Sequence, residues 1–348
     1  MYSGVSIGDE LAFGNGFYPD EYHLELSHHP IRFLKPNDRM YQVKDFIQTA
    51  EGLLFAVVHS ALESGRVLVF LRYVLINDHW QKLNSEDANT YLRHHAPEYL
   101  WHSLLLDADL HAVPVLAIQQ HYQPQKVLAE LLLSSIQDPV IQDLKLLCSL
   151  LVAKQIDLRH LGVTGSCLLG LQKHSSDLDL VCYQRPQFMQ LRQALEQLIA
   201  EAHCHHLSAN DWLEAFQRRG CVDLSLDDYI WHEQRKLNKG IINQRKFDIS
   251  LVNPSSEDSQ YYQKTGYEKL IAKVTDDSAA FDYPASFVID DSLIQEVVSF
   301  TATYNGQAQA GETIVAAGQV EVNDAGKKRL VVGSSREAVG EFIRVIRA

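Results

Sequence analysis

Between Leu158 and Pro254 the chain alternates short apolar runs with longer helical stripes, in the order strand, helix, strand, helix, strand, which demands a sheet covered by helices. LGVTGS (Leu161 to Ser166) is a brief strand entering a Gly-Ser turn. DLDLVCY (Asp177 to Tyr183) and KFDISLV (Lys246 to Val252) alternate polar and apolar residues like half-buried strands. From Gln187 to His203 the residues Phe188, Leu191, Leu195, Leu198, Ile199 and Ala202 share one helical face, the face that would cover that sheet.

The text on either side differs. GLLFAVVHS (Gly52 to Ser60) and RVLVFLRYV (Arg66 to Val74), separated by Ala61 to Gly65, read as an antiparallel hairpin. KVLAELLLSSI reads as an amphipathic helix, and a second helix starts at Asp138 with Pro139 in its first turn and Ile141, Leu144, Leu147, Cys148 and Leu151 as its stripe. The first thirty residues carry five acids and no Lys or Arg, an irregular lead-in. From Tyr283 onward, TATYNGQA, ETIVAAGQVEV and KRLVVGS are strand-like runs broken by Gly turns, and REAVGEFIRVI reads as a closing helix. The expected class is therefore α+β and multi-domain: an N-terminal α+β region with an antiparallel sheet (1–137), a central α/β domain with a mixed sheet (138–275), and a small β-rich C-terminal domain with a terminal helix (276–348).

The chemistry is concentrated in VTGSCLLGLQKHSSDLDLVCY, Val163 to Tyr183. A strand ending in Gly165-Ser166 offers backbone amides and a hydroxyl to an anion such as phosphate, and glycine lets the backbone approach closely. Eleven residues after Ser166, Asp177 and Asp179 stand two apart on a strand. Residues i and i+2 share a face at roughly 6–7 Å spacing, so the two carboxylates converge and repel unless a hard cation neutralises them. Mg²⁺, or Mn²⁺, with a nucleoside triphosphate fits a phosphate cradle facing a carboxylate pair. A third acid would complete a two-ion site. Asp248, mid-strand in KFDISLV, is the candidate, and Asp223 in CVDLSL is its rival.

An Asp-x-Asp or a Gly-Ser pair arises freely on its own. Together at this spacing, Gly165, Ser166, Gly170, Ser176, Asp177 and Asp179 resemble the signature of the DNA polymerase β-type nucleotidyltransferase superfamily, over about 90 residues. The rest of the chain resembles, more loosely, uncharacterised prokaryotic proteins predicted to be nucleotidyltransferases. The resemblance implies that Gly165 and Ser166 contact the triphosphate, that Asp177 and Asp179 bind both metals, and that Asp248 binds the catalytic metal. It implies an enzyme that transfers a nucleoside monophosphate from an NTP to a hydroxyl acceptor and releases pyrophosphate. The alternatives are a catalytically silent nucleotide-binding or scaffold protein, or an enzyme that nucleotidylates a protein or a small molecule.

One departure stands out. Minimal members often carry Arg directly after Gly-Ser, and this chain has Cys167. Arg235, Lys236, Lys239, Arg245 and Lys246, five positive charges with no acid between them, are the expected substitute. Arg235, Lys236 and Lys239 join Gly165, Ser166 and Ser176 as candidate nucleotide-binding residues.

Composition limits the partners. Thirty-one Lys and Arg against 44 Asp and Glu give a net charge of −13, so the chain is no sequence-blind polycation. From residue 326, Lys327, Lys328, Arg329, Arg336, Arg344 and Arg347 face only Glu337 and Glu341, a local excess that would steer a tRNA or other RNA end. No apolar run approaches a membrane span, and the start MYSGVSIGDELAFG lacks the features of a signal peptide, so no membrane partner and a cytoplasmic location are expected. Five scattered cysteines read as reduced thiols. His203, Cys204, His205 and His206 lack a second ligand group at finger-like spacing and read as a frayed helix end. Nothing in the sequence sets an oligomeric state.

Overall fold

The computed structural model describes residues 41–219, 223–252, 261–333 and 338–347, so the acidic first thirty residues, Cys221 and Arg336 lie outside the described part. Three sheets follow one another along the chain, within one compact unit that starts at Met40.

The first sheet joins β1 (Phe46–Thr49), β2 (Leu53–Glu63), β3 (Arg66–Ile76), β4 (His79–Lys82), β5 (Leu100–Ser103), β6 (Ala108–Pro114) and β7 (Ile118–Tyr122), with every strand pair antiparallel. The expected hairpin is β2–β3, turning at Ser64 and Gly65. Helix α1 (Ser85–His95) closes one face over Phe55, Val69 and Leu71. The other face exposes Phe46, Leu54 and Tyr73 to the central region, where Leu168 meets them.

Two helices lead into the second sheet. In α2 (Pro124–Leu133) and α3 (Pro139–Ala153) proline occupies the first turn, where its missing N–H leaves no helical bond unmade, and Asp138 caps α3 by accepting from the Val140 and Ile141 amides. The stripe Ile141, Leu144, Leu147, Cys148 and Leu151 is buried as its spacing requires. The second sheet follows with β8 (Leu161–Thr164), the one-turn helix α4 (Gly165–Leu168), β9 (Leu178–Cys182), α5 (Arg185–Ala200), α6 (Ala209–Arg219), α7 (Leu226–Gln234), β10 (Lys239–Ile242) and β11 (Arg245–Leu251). The strand order is β10-β11-β9-β8, with β9 and β11 parallel and the outer pairs antiparallel, so the sheet is mixed. Helices α2, α3 and α5 cover one face, against Val163, Leu178, Leu180, Phe247 and Ile249. Strand alternation then sends the intervening side chains of β9 and β11 to the opposite face.

The third sheet contains β12 (Tyr262–Asp276), β13 (Ala285–Ile289), β14 (Glu296–Ser299), β15 (Thr313–Asn323), β16 (Lys328–Val332) and β17 (Phe342–Val345). It begins at Tyr262, ahead of the boundary expected at residue 276. Two sequence expectations are corrected here. TATYNGQA, residues 301–308, is a string of turns held by its own polar groups: Gln307 donates to the Ile343 carbonyl and the Tyr304 hydroxyl to the Glu341 carbonyl. The expected closing helix is instead a strand, β17, where Phe342, Ile343 and Val345 are buried along β15, after Gly340 at φ 85° has broken any helical path. Leu224 and the half-buried Phe216 and Trp231 pack into this third core.

Candidate functional site

Backbone register places four polar side chains in one row across the face of the second sheet that α2, α3 and α5 do not cover. Asp179 of β9 is the direct partner of Thr164 on β8 and of Asp248 on β11, and Asp248 is the partner of Lys239 on β10. Directly opposed residues project to the same face, so the row reads Lys239, Asp248, Asp179, Thr164, while Asp177 lies just ahead of the first residue of β9, near enough for its charge to act on Asp179. Asp179 and Asp248 share a face through their register, whereas the expected strand begins one residue after Asp177.

Gly165 joins the Gly-Ser turn to this row. It adopts φ 65°, a left-handed conformation that favours glycine, and a Cβ there would lie 2.4 Å from Asp179 Oδ2. The Asp179 carboxylate is therefore tucked directly under the start of α4, and the turn tolerates only a residue without a side chain. Behind it, Leu171 N–H donates to the Ser166 carbonyl (2.9 Å) and Gly170, at φ 67°, closes the turn. Ser176 shapes the approach to β9: its hydroxyl accepts from the Lys173 amide and its own amide donates to the Lys173 carbonyl.

Asp179 is reached by solvent yet surrounded by protein, the position of a group on the floor of a cleft. Loss of hydration is the main cause that pushes its carboxyl up to about 6, with the charges of Asp248 and then Asp177 adding to it. Asp177 is also raised, chiefly by desolvation, although Lys246, Arg218 and Arg245 oppose the shift. The like charges are thus only partly compensated by protein cations. That donor set suits a hard divalent cation, which would relieve the repulsion. Among the described residues no three or more His, Cys, Asp or Glu side chains gather as a ready-made metal cluster. Mg²⁺ does not need one, because it is usually held by one or two carboxylates with water and phosphate completing the shell. Asp248 also has a competing partner, since its Oδ2 lies 3.3 Å from Lys239 Nζ.

The basic run does not behave as the sequence suggested. Arg235 pairs with Glu312 through both guanidinium arms (2.8 and 2.6 Å). Lys236 is 2% exposed and binds Glu233 and the Thr303 carbonyl, so neither side chain is free to reach a triphosphate. Both serve instead to tie the second region to the third. Lys239 alone of the three candidates faces the carboxylate row. Arg245 acts from the side, with Nε on Asp143 (2.7 Å) and Nη1 on the His174 and Ser176 carbonyls, which fixes the loop leading to Asp177. Asp223 lies on an exposed turn before α7 and off the strands of this sheet, so Asp248 is the third acid of the face.

Sequence reasoning missed the contribution of the first sheet. Lys44 and Lys82 both counter the charge of Asp179. Positive φ at Lys44 leaves no one-dimensional trace, and only docking of the sheets brings these residues to β9. The C-terminal basic residues are largely committed: Lys327 to Glu296 (3.1 Å), Arg329 to Glu321 (2.9 Å) and Arg347 to Asp228 (2.6 Å). The four described cysteines are free and buried, and Cys204 lies in the second core, so the histidines beside it form no zinc cluster among the described residues. No described helix is long and apolar enough to cross a membrane.

One relative extends almost the full length of the chain. The protein MJ1086 of Methanocaldococcus jannaschii, described only as uncharacterized, is 31% identical over 337 residues, covering 88% of this chain and 99% of its own. No family model matches, and no solved structure matches.

Proposed function

We propose, for a chain that belongs to the same family as MJ1086 of Methanocaldococcus jannaschii, that the carboxylate row is the active site of a nucleotidyltransferase of the polymerase β type. The observation that carries this reading is Gly165 lying against Asp179, while Asp179 and Asp248 stand side by side on parallel strands. An anion-accepting turn and a set of only partly compensated carboxylates then meet at one point.

In this reading Ser166 and the amides of its turn bind and orient the triphosphate. Asp177, Asp179 and Asp248 would hold Mg²⁺ or Mn²⁺, which supplies charge neutralisation for an in-line displacement at the α-phosphorus. Asp248, between Lys239 and Asp179 in the row and 43% exposed, is the group that accepts the proton of an acceptor hydroxyl in this reading. The new bond joins that oxygen to the α-phosphorus, and the bond to pyrophosphate breaks. The acceptor is a hydroxyl group. The ion pairs of Lys327, Arg329 and Arg347 remove much of the charge that pointed to an RNA end, so RNA stands beside protein and small molecules as an arm of the test.

The test is incubation of the full-length protein with each α-labelled NTP, Mg²⁺ and fractionated cell extract. Label should enter one fraction, and Asp177→Asn or Asp179→Asn should lower incorporation by at least about 1,000-fold, roughly 4 kcal/mol of barrier. Unchanged incorporation in those variants refutes the reading. The pairing of Lys239 with Asp248 favours one second reading, a nucleotide-binding module without turnover. Saturable NTP binding with no labelled product in any fraction would select it.

A further inference from the structure

Four observations converge on one wall of the carboxylate cleft. Val43 packs on Val181 of β9, two positions beyond Asp179, so the segment entering the first sheet runs along the carboxylate strand. Thr164, the partner of Asp179 on β8, donates its hydroxyl to the Lys44 carbonyl (2.9 Å). Lys44 itself has φ 77°, a conformation that lysine seldom adopts, and it is held there on both sides. Its N–H donates to the Val57 carbonyl, while the neighbouring buried Asp45 accepts from the Gln42 amide and contacts His121 Nε2 (2.8 Å). Finally, Lys82 on β4 is the direct partner of Tyr73, and Tyr73 and Trp80 pack with Leu168 of α4, which turns this face of the first sheet toward the Gly-Ser turn.

The turn closed by the Asp45 amide on the Gln42 carbonyl, with Lys44 as its third residue, fixes the Lys44 backbone beside Thr164. Among the described residues neither the Lys44 nor the Lys82 ammonium has an ion pair or side-chain hydrogen bond, although nearly every other cation discussed here is paired. Between Gly165 and Gly170 the turn carries Ser166, Cys167, Leu168 and Leu169 and no Lys or Arg. The cleft therefore lacks a cation on its own turn and receives two from the neighbouring sheet.

We propose that Lys44 and Lys82 form the polyphosphate-binding wall of the site, taking the β- and γ-phosphates of the bound nucleotide and the pyrophosphate that leaves. The proposal rests on the nucleotidyltransferase reading and makes the cleft composite: carboxylates from the second sheet, phosphate-facing cations from the first. The antiparallel sheet is then part of the active site, not an appendage.

The test is calorimetric titration of the full-length protein with inorganic tripolyphosphate and with pyrophosphate in the presence of Mg²⁺, for wild type, Lys44→Gln, Lys82→Gln, the double variant and Lys82→Arg. Each Gln substitution should weaken binding by about 10-fold, the double variant by about 100-fold, and Lys82→Arg should retain most affinity. Thermal midpoints should hold, because neither ammonium supports the fold. For nucleotide turnover the KM should rise more than kcat falls. If the Gln variants bind as wild type does while Asp179→Asn weakens binding, the lysine wall is wrong and the nucleotidyltransferase reading survives. If wild type binds neither polyphosphate nor any NTP with Mg²⁺, both fall.

Discussion

Two clusters of charge lie within reach of the same lysine, and they are built on opposite terms. On one side of Lys239, Glu233 is 1% exposed and receives both Lys236 and Lys239. Burial alone would push its carboxyl up, but the two ammonium groups outweigh burial and hold it far below the usual carboxylate range. On the other side, Asp248 and Asp179 stand side by side, and desolvation together with like charge drives Asp179 upward. The buried cluster is compensated and holds the second and third regions together through the Thr303 carbonyl. The cleft leaves acids in excess. A fold that neutralises one group of charges so fully, yet leaves repulsion in another a few residues away, is keeping the second for a ligand.

The largest effect should come from breaking the compensated side. Glu233→Gln leaves the buried Lys236 ammonium with a neutral amide and the Thr303 carbonyl and no carboxylate, and Lys239 with Asp248 alone, so chemical denaturation should show a loss of about 3–5 kcal/mol. A loss under about 1 kcal/mol would mean that the buried cluster is dispensable, and the contrast would collapse.

Acid attacks the interior in a related way. His111 is fully buried and neutral, with Nδ1 accepting from the Leu71 amide and Nε2 facing Asn89 Oδ1. Burial depresses it to about 4, and depresses His232 to about 3 with help from Lys236 and Arg235. Both folded values lie below the unfolded value of about 6.5, so the folded state binds the proton less well. Their contribution to stability is whole above that value and shrinks as pH falls toward 4, by about 2 kcal/mol each at pH 5. Urea midpoints at pH 7 and pH 5, with His111→Gln removing its share of the slope, measure this directly.

Arg245→Lys keeps the charge but loses the fork that grips Asp143 and the two carbonyls before Asp177. Nucleotidyl transfer should fall about 10-fold. A variant with full turnover would show that the loop needs no such brace.

The smallest effect has the opposite sign and sharpens the contrast most. Asp179 is raised in the folded state, so its contribution is favourable at low pH and is lost as pH rises through about 6. Without divalent cations, Asp179→Asn should therefore gain stability at pH 7.5, on the order of 1 kcal/mol once the screening at this solvent-reached group is allowed for. The gain should fade below pH 6 and vanish near pH 4. Adding Mg²⁺ should stabilise wild type and leave the variant unmoved. If the substitution destabilises at every pH, the carboxylate is structural after all.

Most of the second sheet was legible because its signals are local. Alternation in LDLVC and KFDISL names the buried and projecting side chains, and proline and Asp138 mark helix starts. The errors fell where a nonlocal partner decided the outcome. Residues 342–345 became a strand because β15 offered an edge, and Arg235 and Lys236 were taken from the site by Glu312 and Glu233. A run of cations looks the same in a sequence whether it faces solvent, phosphate or a buried acid.

The chain's own text thus determined which residues carry charge, which alternate onto a common face, and where glycine frees the backbone, since each of these depends on neighbours a few bonds away. Register across β8, β9, β11 and β10 was decided only by folding, as was the arrival of Lys44 and Lys82 beside Asp179. The Thr164 hydroxyl and the Lys44 carbonyl are 120 residues apart in the chain. Which charges are neutralised and which are left to act is a property of distances in space, and those are set by how the sheets pack.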